Sequence, residues 1–260
     1  MITTDAALNT INASFTLEDF DSRTIVYNFG SATADGTGAF IEDGRFYAQG
    51  STATVNGSAV TSVQGLATSD IAVFDGGAIP ANFDLCNCDY LTWGFWGAMR
   101  EFTSGSPNTA LTHLGSWVAG ELASNAEVTS SNIAGAVYSG NAIGDVRNGS
   151  DRYVATGTID LTFNFSPGSY TLEAVTLNNF DGLTYTSSGG GGQVFSDNHY
   201  TSSEAELMIT SGSNTLTIEG AFFAGQTAPS VPLATAGQGT ILSGSPQYFV
   251  NLTYGAALEP

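Results

Sequence analysis

Tyr153-Val-Ala-Thr-Gly-Thr-Ile-Asp-Leu-Thr-Phe-Asn-Phe-Ser166 is the stretch on which the fold turns. Tyr153, Ala155, Gly157, Ile159, Leu161, Phe163 and Phe165 fall on one parity. Val154, Thr156, Thr158, Asp160, Thr162, Asn164 and Ser166 fall on the other. An apolar face opposed to a mostly polar one at period two is a half-buried β-strand. The same alternation appears in Ile25, Tyr27 and Phe29, and again in Tyr248, Val250, Leu252 and Tyr254. Leu216, Ile218 and Phe222 repeat it, with Gly220 interrupting the stripe.

Turn signals separate these runs: Asp35-Gly36, Asp43-Gly44, Asn56-Gly57, Asp75-Gly76, Asn148-Gly149 and Asp181-Gly182. Asn-Gly and Asp-Gly accept the positive φ of tight hairpins, so each marks a strand reversal. No amphipathic helix stands out beyond a turn around Asn108–Leu114, and the class is all-β. Candidate strands after residue 84 are 90–102, 114–121, 133–146, 152–166, 169–187, 192–197, a hairpin at 203–223, and 239–254. About eight strands close into an antiparallel barrel whose interior is filled by side chains, and closure removes exposed edges. The expected core includes Tyr153, Ile159, Leu161, Phe163 and Leu252. Residues 1–84 read as an N-terminal region of short strands and 85–260 as the barrel. The tetraglycine Gly189–Gly192 reads as a loop tip.

At 260 residues the chain is long enough for one large β domain or two small ones. It carries 24 acidic residues and five basic ones, Arg23, Arg45, Arg100, Arg147 and Arg152, with no lysine, for a net charge of −19. That field repels phosphate backbones and anionic bilayers, which disfavours nucleic-acid binding and electrostatic membrane docking. Solubility is the first reading of the charge, and attraction of cations or a basic partner is the sharper one. No apolar run reaches the roughly 20 residues of a membrane-spanning helix. Met1–Asp5 has neither a basic n-region nor an apolar h-region, so an exported protein would carry its address elsewhere.

Cys86-Asn-Cys-Asp-Tyr-Leu-Thr-Trp-Gly-Phe-Trp-Gly97 is the most distinctive segment. His113-Leu-Gly-Ser-Trp-Val-Ala-Gly120, Tyr138-Ser-Gly-Asn-Ala-Ile-Gly144 and Ile218-Glu-Gly-Ala-Phe-Phe-Ala224 follow in order. Over residues 86–255 this succession resembles the transferrin-binding-protein-like β-barrel domain of proteobacterial surface proteins. The resemblance implies an eight-stranded barrel, exposed on the outer cell surface or secreted, that binds proteins. Gly225-Gln-Thr-Ala-Pro229 departs from the continuation typical of the transferrin receptors, so transferrin is not implied as the ligand. Similar barrels also occur within very large secreted bacterial proteins.

The residues offer little catalytic chemistry. There is no Gly-x-Ser-x-Gly elbow, zinc helix or phosphate loop, and the lack of lysine excludes Schiff-base chemistry. His113 and His199 are the only imidazoles, and each reads as a solvated side chain. A carbohydrate-active enzyme with a carboxylate pair stays open as an alternative, although no pair is singled out. Cys86 and Cys88 read first as a kinked intrachain disulfide, then as free thiols, and last as metal or redox ligands. Calcium is the more plausible cation, with Asp19 beside Asp21 and Asp84 beside Asp89 as weak oxygen-ligand candidates. Trp93, Trp96 and Trp117 are candidate contact aromatics, with core packing as the plainer account. The expectation is a non-catalytic barrel that presents loops such as 103–112 and 187–202 to a protein partner. A structural unit of an extracellular fibre or surface layer is the competing reading.

Overall fold

The computed structural model describes residues 2–5, 10–18, 24–33, 40–42, 45–47, 52–55, 58–60, 83–86, 88, 91–101, 110–188, 194–203, 205–223, 232–244 and 247–259. The chain divides into two compact units. One comprises Met1–Ile71 with Trp93–Gly115, the other Ala72–Thr92 with Ser116–Pro260.

In the first unit, β1 (Ile2–Asp5), β2 (Thr10–Glu18), β3 (Thr24–Thr33), β6 (Thr52–Val55) and β7 (Ser58–Val60) form one antiparallel sheet in that order. β4 (Phe40–Glu42) and β5 (Arg45–Tyr47) pair separately. The Asp43-Gly44 and Asn56-Gly57 signals fall between Glu42↔Arg45 and Val55↔Ser58, the closing pairs of two-residue hairpins. Asp35-Gly36 and Asp75-Gly76 lie outside the described residues.

The second unit is a closed antiparallel barrel. Its strands are β10 (Ala136–Asn148), β11 (Asp151–Ser166), β12 (Ser169–Phe180), β13 (Leu183–Ser188), β15 (Met208–Ser211), β16 (Asn214–Phe223), β17 (Ala234–Ser243) and β18 (Tyr248–Leu258). The ring runs β10-β11-β12-β13-β15-β16-β17-β18 and returns from β18 to β10. β14 (His199–Thr201) adds itself to β16. Alternation sends Ile159, Leu161, Phe163 and Leu252 into the core, each at most 1% exposed. Tyr153 differs from expectation: it is half-buried against that core. It stands beside the Asn148–Asp151 turn, and its hydroxyl reaches a carboxylate, Asp181 Oδ2, at 2.8 Å.

Several expected strands are corrected. The span 169–187 is two strands, broken by Asp181 (φ 51°) and Gly182 (φ 74°), the paired positive φ values of a tight hairpin turn. The span 239–254 is likewise broken, with β17 ending at Ser243 and β18 opening at Tyr248. The intervening Gly244-Ser-Pro-Gln247 is turn-forming, and its proline has no amide to give a ladder. Among the described residues of 192–197, only Phe195 makes a strand-like contact, a single bridge to Tyr170. Residues 110–114, expected to turn, belong to β9 (Ala110–Gly120).

β8 (Leu91–Glu101) and β9 were expected as barrel strands but pair with each other as a two-stranded sheet. The ring is already complete without them, so no open edge remains to accept them. The first barrel strand is therefore β10, and the W-G-x-W and W-x-A-G motifs lie outside the ring. At their base, Leu91 and Val118 pack against Ala221, Phe223 and Ala236, a cluster separate from the interior core. Thr253 Oγ1 donates to Ser116 Oγ at 2.6 Å in the same region.

The connections distribute unevenly. β10–β11, β12–β13, β15–β16 and β17–β18 are joined at one end of the barrel, which we term the turn end. The opposite end carries the approach to β10, the β11–β12 turn, the segment 194–200, the end of β16, the start of β17 and the exit from β18. We term it the loop end.

Candidate functional site

Six rings build the floor of the loop end. Tyr138, Phe163, Phe165, Tyr170, Tyr200 and Phe222 pack at centroid separations of 4.9 to 6.0 Å, several edge to face. Their hydroxyls then tie the connections down. Tyr138 Oη donates to Pro232 O at 2.9 Å, and Tyr170 Oη donates to His199 O at 2.6 Å. Phe195 stacks on Tyr170 at 5.3 Å and exchanges backbone hydrogen bonds with it. Burial raises the Tyr170 phenol above its ordinary range, so it stays a protonated donor.

A short helix, α1 (Asn125–Thr129), closes another part of this end. The sequence reading missed it, although the signal was present as Ser124-x-x-Glu127. Ser124 Oγ accepts from the Glu127 amide at 3.3 Å, and the Glu127 carboxylate accepts from the Ser124 amide at 2.7 Å, a reciprocal capping box. The Ser124 hydrogen bonds hold the Glu127 carboxyl below its usual range. Asn198 secures α1 to the next connection, donating to Ala123 O at 2.6 Å while its amide reaches Asn125 Oδ1 at 3.1 Å.

With the backbone pinned, the side chains left in solvent define a surface. Val194 is 55% exposed, Met208 62%, Leu122 48% and Ile133 40%. Three of them belong to the loop end: Leu122 bridges to Phe223, Ile133 O accepts from Phe165, and Val194 precedes Phe195, whereas Met208 pairs with Ser188 on the barrel wall, beside the Thr210–Thr215 pair. Glu121, Asp197 and Glu259 are exposed at the same end. Beyond Arg100 the sequence has only two basic residues, Arg147 and Arg152, paired across β10 and β11 beside the turn end. This end is thus apolar and acidic together.

The turn end has its own polar cluster. Asp181 Oδ2 accepts from Tyr153 Oη at 2.8 Å and from Tyr248 Oη at 3.0 Å, linking β11, β18 and the β12–β13 turn. Burial, then the bond to Asp181, pushes the Tyr153 phenol up to about 12. Two donors, one from β11 and one from β18, on the carboxylate of the β12–β13 turn form a clasp at this end of the barrel.

Of the residues singled out from sequence, the loop segment 194–202 joins the loop-end surface, and His199 is exposed there with its amide bonded to Asp197 Oδ1 at 3.1 Å. His113 lies on β9. Trp93, on β8, is half-buried; the side chains of Trp96 and Trp117 lie outside the described residues, as do residues 102–109. Asp19, Asp21 and Asp89 also fall outside them. Asp84 Oδ1 accepts from the Leu85 amide at 2.8 Å. Among the described residues, no three His, Cys, Asp or Glu side chains gather so as to hold a metal ion.

Cys86 and Cys88 are bonded to each other, and the Cys88 amide donates to Cys86 O at 2.8 Å, closing a three-residue turn. Leu85 beside them is buried, and its carbonyl accepts from the Asn141 amide of β10 at 2.7 Å. The segment therefore clips to the barrel wall. Non-reducing mass spectrometry is expected to find both thiols consumed within one chain. Because the closed loop is so short, reduction should lower stability by only about 1–2 kcal/mol. Two alkylatable thiols in the air-exposed protein, or a bridged dimer, would contradict this.

No family model matches the chain, and no curated protein matches it. Among solved structures, similarity extends over 100% of this chain to isotype 1 transferrin binding protein B from serogroup B Neisseria meningitidis, at 13% identity and a TM-score of 0.39. This chain spans 65% of that protein's length. HpuA from Kingella denitrificans, solved in complex with human haemoglobin, is similar at 14% identity and a TM-score of 0.39, with 91% of its length covered.

Proposed function

We propose that this chain is a non-catalytic recognition module that binds a protein partner through the loop end of its barrel, outside the cell or on a bacterial outer surface. The carrying observation is the coupling of a filled interior to a pinned rim. Six aromatic rings occupy the barrel beneath the loop end, so the space inside serves packing. The same rings fix the connections above them, which presents Val194, Leu122 and Ile133 to solvent from a rigid base. Large apolar side chains held in this way cost little ordering entropy when a partner covers them. The resemblance to surface protein-binding barrels agrees with this use.

The test begins with capture of partners by the full chain from serum or from the native habitat, followed by affinity measurement with the purified partner. Val194→Ser with Leu122→Ser is expected to weaken binding about tenfold or more while leaving the melting curve unchanged. Undiminished affinity in that variant would sink the assignment of the site. Ordered oligomers or filaments of the isolated chain, lost in the same variant, would favour the assembly reading instead.

A further inference from the structure

Residues 84–86 and 88 lie along the outer wall of the barrel, and three separate features hold them there. The first is a grip from β10. The Asn141 amide donates to Leu85 O at 2.7 Å, and Asn141 Nδ2 donates to Asp84 O at 2.7 Å, so one residue takes two consecutive carbonyls. The second is a seat on β18. A Cβ at Gly255 would fall 2.9 Å from Leu85 Cβ and 3.6 Å from Cys86 Sγ, so a side chain there would push the segment away. Asn141 and Gly255 alternate with Ala142, Tyr254 and Ala256 of the interior core, which places both on the outer face. The third is the bond between Cys86 and Cys88, whose side chains are buried with Ala234, while Leu91 and Ala257 pack against them.

That bond lies inside the segment, so it ties nothing covalently to the wall. What it does is shape the segment. It closes the turn in which the Cys88 amide donates to Cys86 O at 2.8 Å, and it lets both sulfurs share one small apolar site. A dithiol can break it: the dithiol is oxidised to its own disulfide, and its two electrons and two protons leave Cys86 and Cys88 as separate thiols. Two thiols need more room than one bonded pair, and the turn loses its closure. The two hydrogen bonds from Asn141 are smaller than the backbone entropy of ordering five residues. Along the chain the segment stands where one unit gives way to the other, since Ala72–Thr92 belongs to the barrel unit and Trp93–Gly115 does not.

We propose that residues 84–88 form a redox-sensitive strap, docked on the β10–β18 wall while Cys86 and Cys88 are bonded and released as slack chain once they are reduced. Oxidising surroundings keep the strap down, and thiol-rich ones let it go. Cys86 is 6% exposed and Cys88 8%, so a reductant reaches the sulfurs only when the strap lifts. The bond favours docking, and docking shields the bond. The device is independent of what the loop end binds.

The Asn141 amide reports the docked state, because its acceptor is Leu85 O. Hydrogen exchange of the full chain is followed by NMR before and after dithiothreitol. On reduction the Asn141 amide should exchange within about tenfold of an unprotected amide, and reoxidation should restore its protection. The Leu161 and Leu177 amides of β11 and β12 should stay protected about a thousandfold or more, opening only with the whole barrel. Cys86→Ser with Cys88→Ser should reproduce the reduced pattern without reductant. The converse is read on the oxidised chain. Asn141→Ala loses the Nδ2 grip and Gly255→Ala puts a methyl group against Leu85, so each should let dithiothreitol reduce the bond several-fold faster. Asn178→Ala, on β12, should leave that rate unchanged.

An Asn141 amide equally protected in the oxidised, reduced and double-serine proteins would overturn the proposal. So would a reduction rate indifferent to both Asn141→Ala and Gly255→Ala. Loss of protection at Leu161 and Leu177 in step with Asn141 would overturn it too, since the bond would then support the barrel as a whole and not a strap.

Discussion

Phe163→Ala is expected to cost about 3–5 kcal/mol, the largest loss of any single truncation in the barrel. Phe163 packs against five rings, with centroids at 4.9 Å for Phe222, 5.0 Å for Tyr200, 5.6 Å for Tyr138, and 6.0 Å for Phe165 and Tyr170. It is fully buried on β11, whose two neighbours are paired along most of its length, so the surrounding wall cannot collapse into the void. Lost transfer energy and an unfilled cavity therefore add. A loss of that size is a large part of the roughly 5–15 kcal/mol that holds a domain folded. Denaturant unfolding followed by circular dichroism checks it. Phe163→Leu should cost less than half as much, since most of the volume is kept. A loss below about 1 kcal/mol for the alanine variant would mean that the ring cluster does not form.

Gly220→Ala is the second large effect, although it adds only one methyl group. A Cβ at this position on β16 would fall 2.6 Å from Tyr200 Oη and closer still to Tyr254 Oη. Those hydroxyls bond to each other at 2.8 Å. Tyr200 Oη also bonds Thr235 Oγ1, which donates to Ala221 O at 3.0 Å, and Tyr254 Oη donates to Glu219 O at 3.2 Å. The methyl group must displace a network closed off from bulk water, because both phenols are buried, and that burial also raises their titration above the ordinary range. Overpacking with one or more unmet hydroxyls amounts to about 2–4 kcal/mol. Tyr254→Phe removes one of the colliding oxygens, so the double variant should be less destabilised than the sum of the two single changes. Strict additivity in that cycle would show that Gly220 does not make room for the hydroxyls.

Gly220 also shows where legibility ended. The interrupted stripe Leu216, Ile218, Gly220, Phe222 was visible in the sequence. Its cause was not, because Tyr200 and Tyr254 reach the gap from distant positions that periodicity cannot connect. Strand alternation itself was readable, since period two directly places Ile159, Leu161 and Phe163 inside. Asp181-Gly182 was readable as a turn because its backbone demands are local. Closure was a matter of strand count, and the wrong strands were counted: β8 and β9 alternate like barrel strands yet pair with each other. Nothing local distinguishes a strand that joins the ring from one that packs outside it. The loop-end surface was legible only in part. Segment 187–202 reads as a presenting loop, but Leu122 and Ile133 share an end with Val194 only through the fold. The Ser124–Glu127 capping box was a local signal that went unused.

The central claim is that a closed, filled barrel supports a rigid loop end, and amide hydrogen exchange of the full chain tests it most directly. The ring closes where β10 meets β18 over Tyr138–Asn148, and where β16 meets β17 over Asn214–Phe223. If these seams are real, peptides from β16, β17 and β18 should exchange as slowly as those from the β10–β11 hairpin, opening only with global unfolding. Phe195 and Tyr200 should also be protected within their otherwise exposed connection, because both are tied into β12 and β16. Fast exchange along β17, or along one side of either seam, would mean an open sheet and would contradict the account.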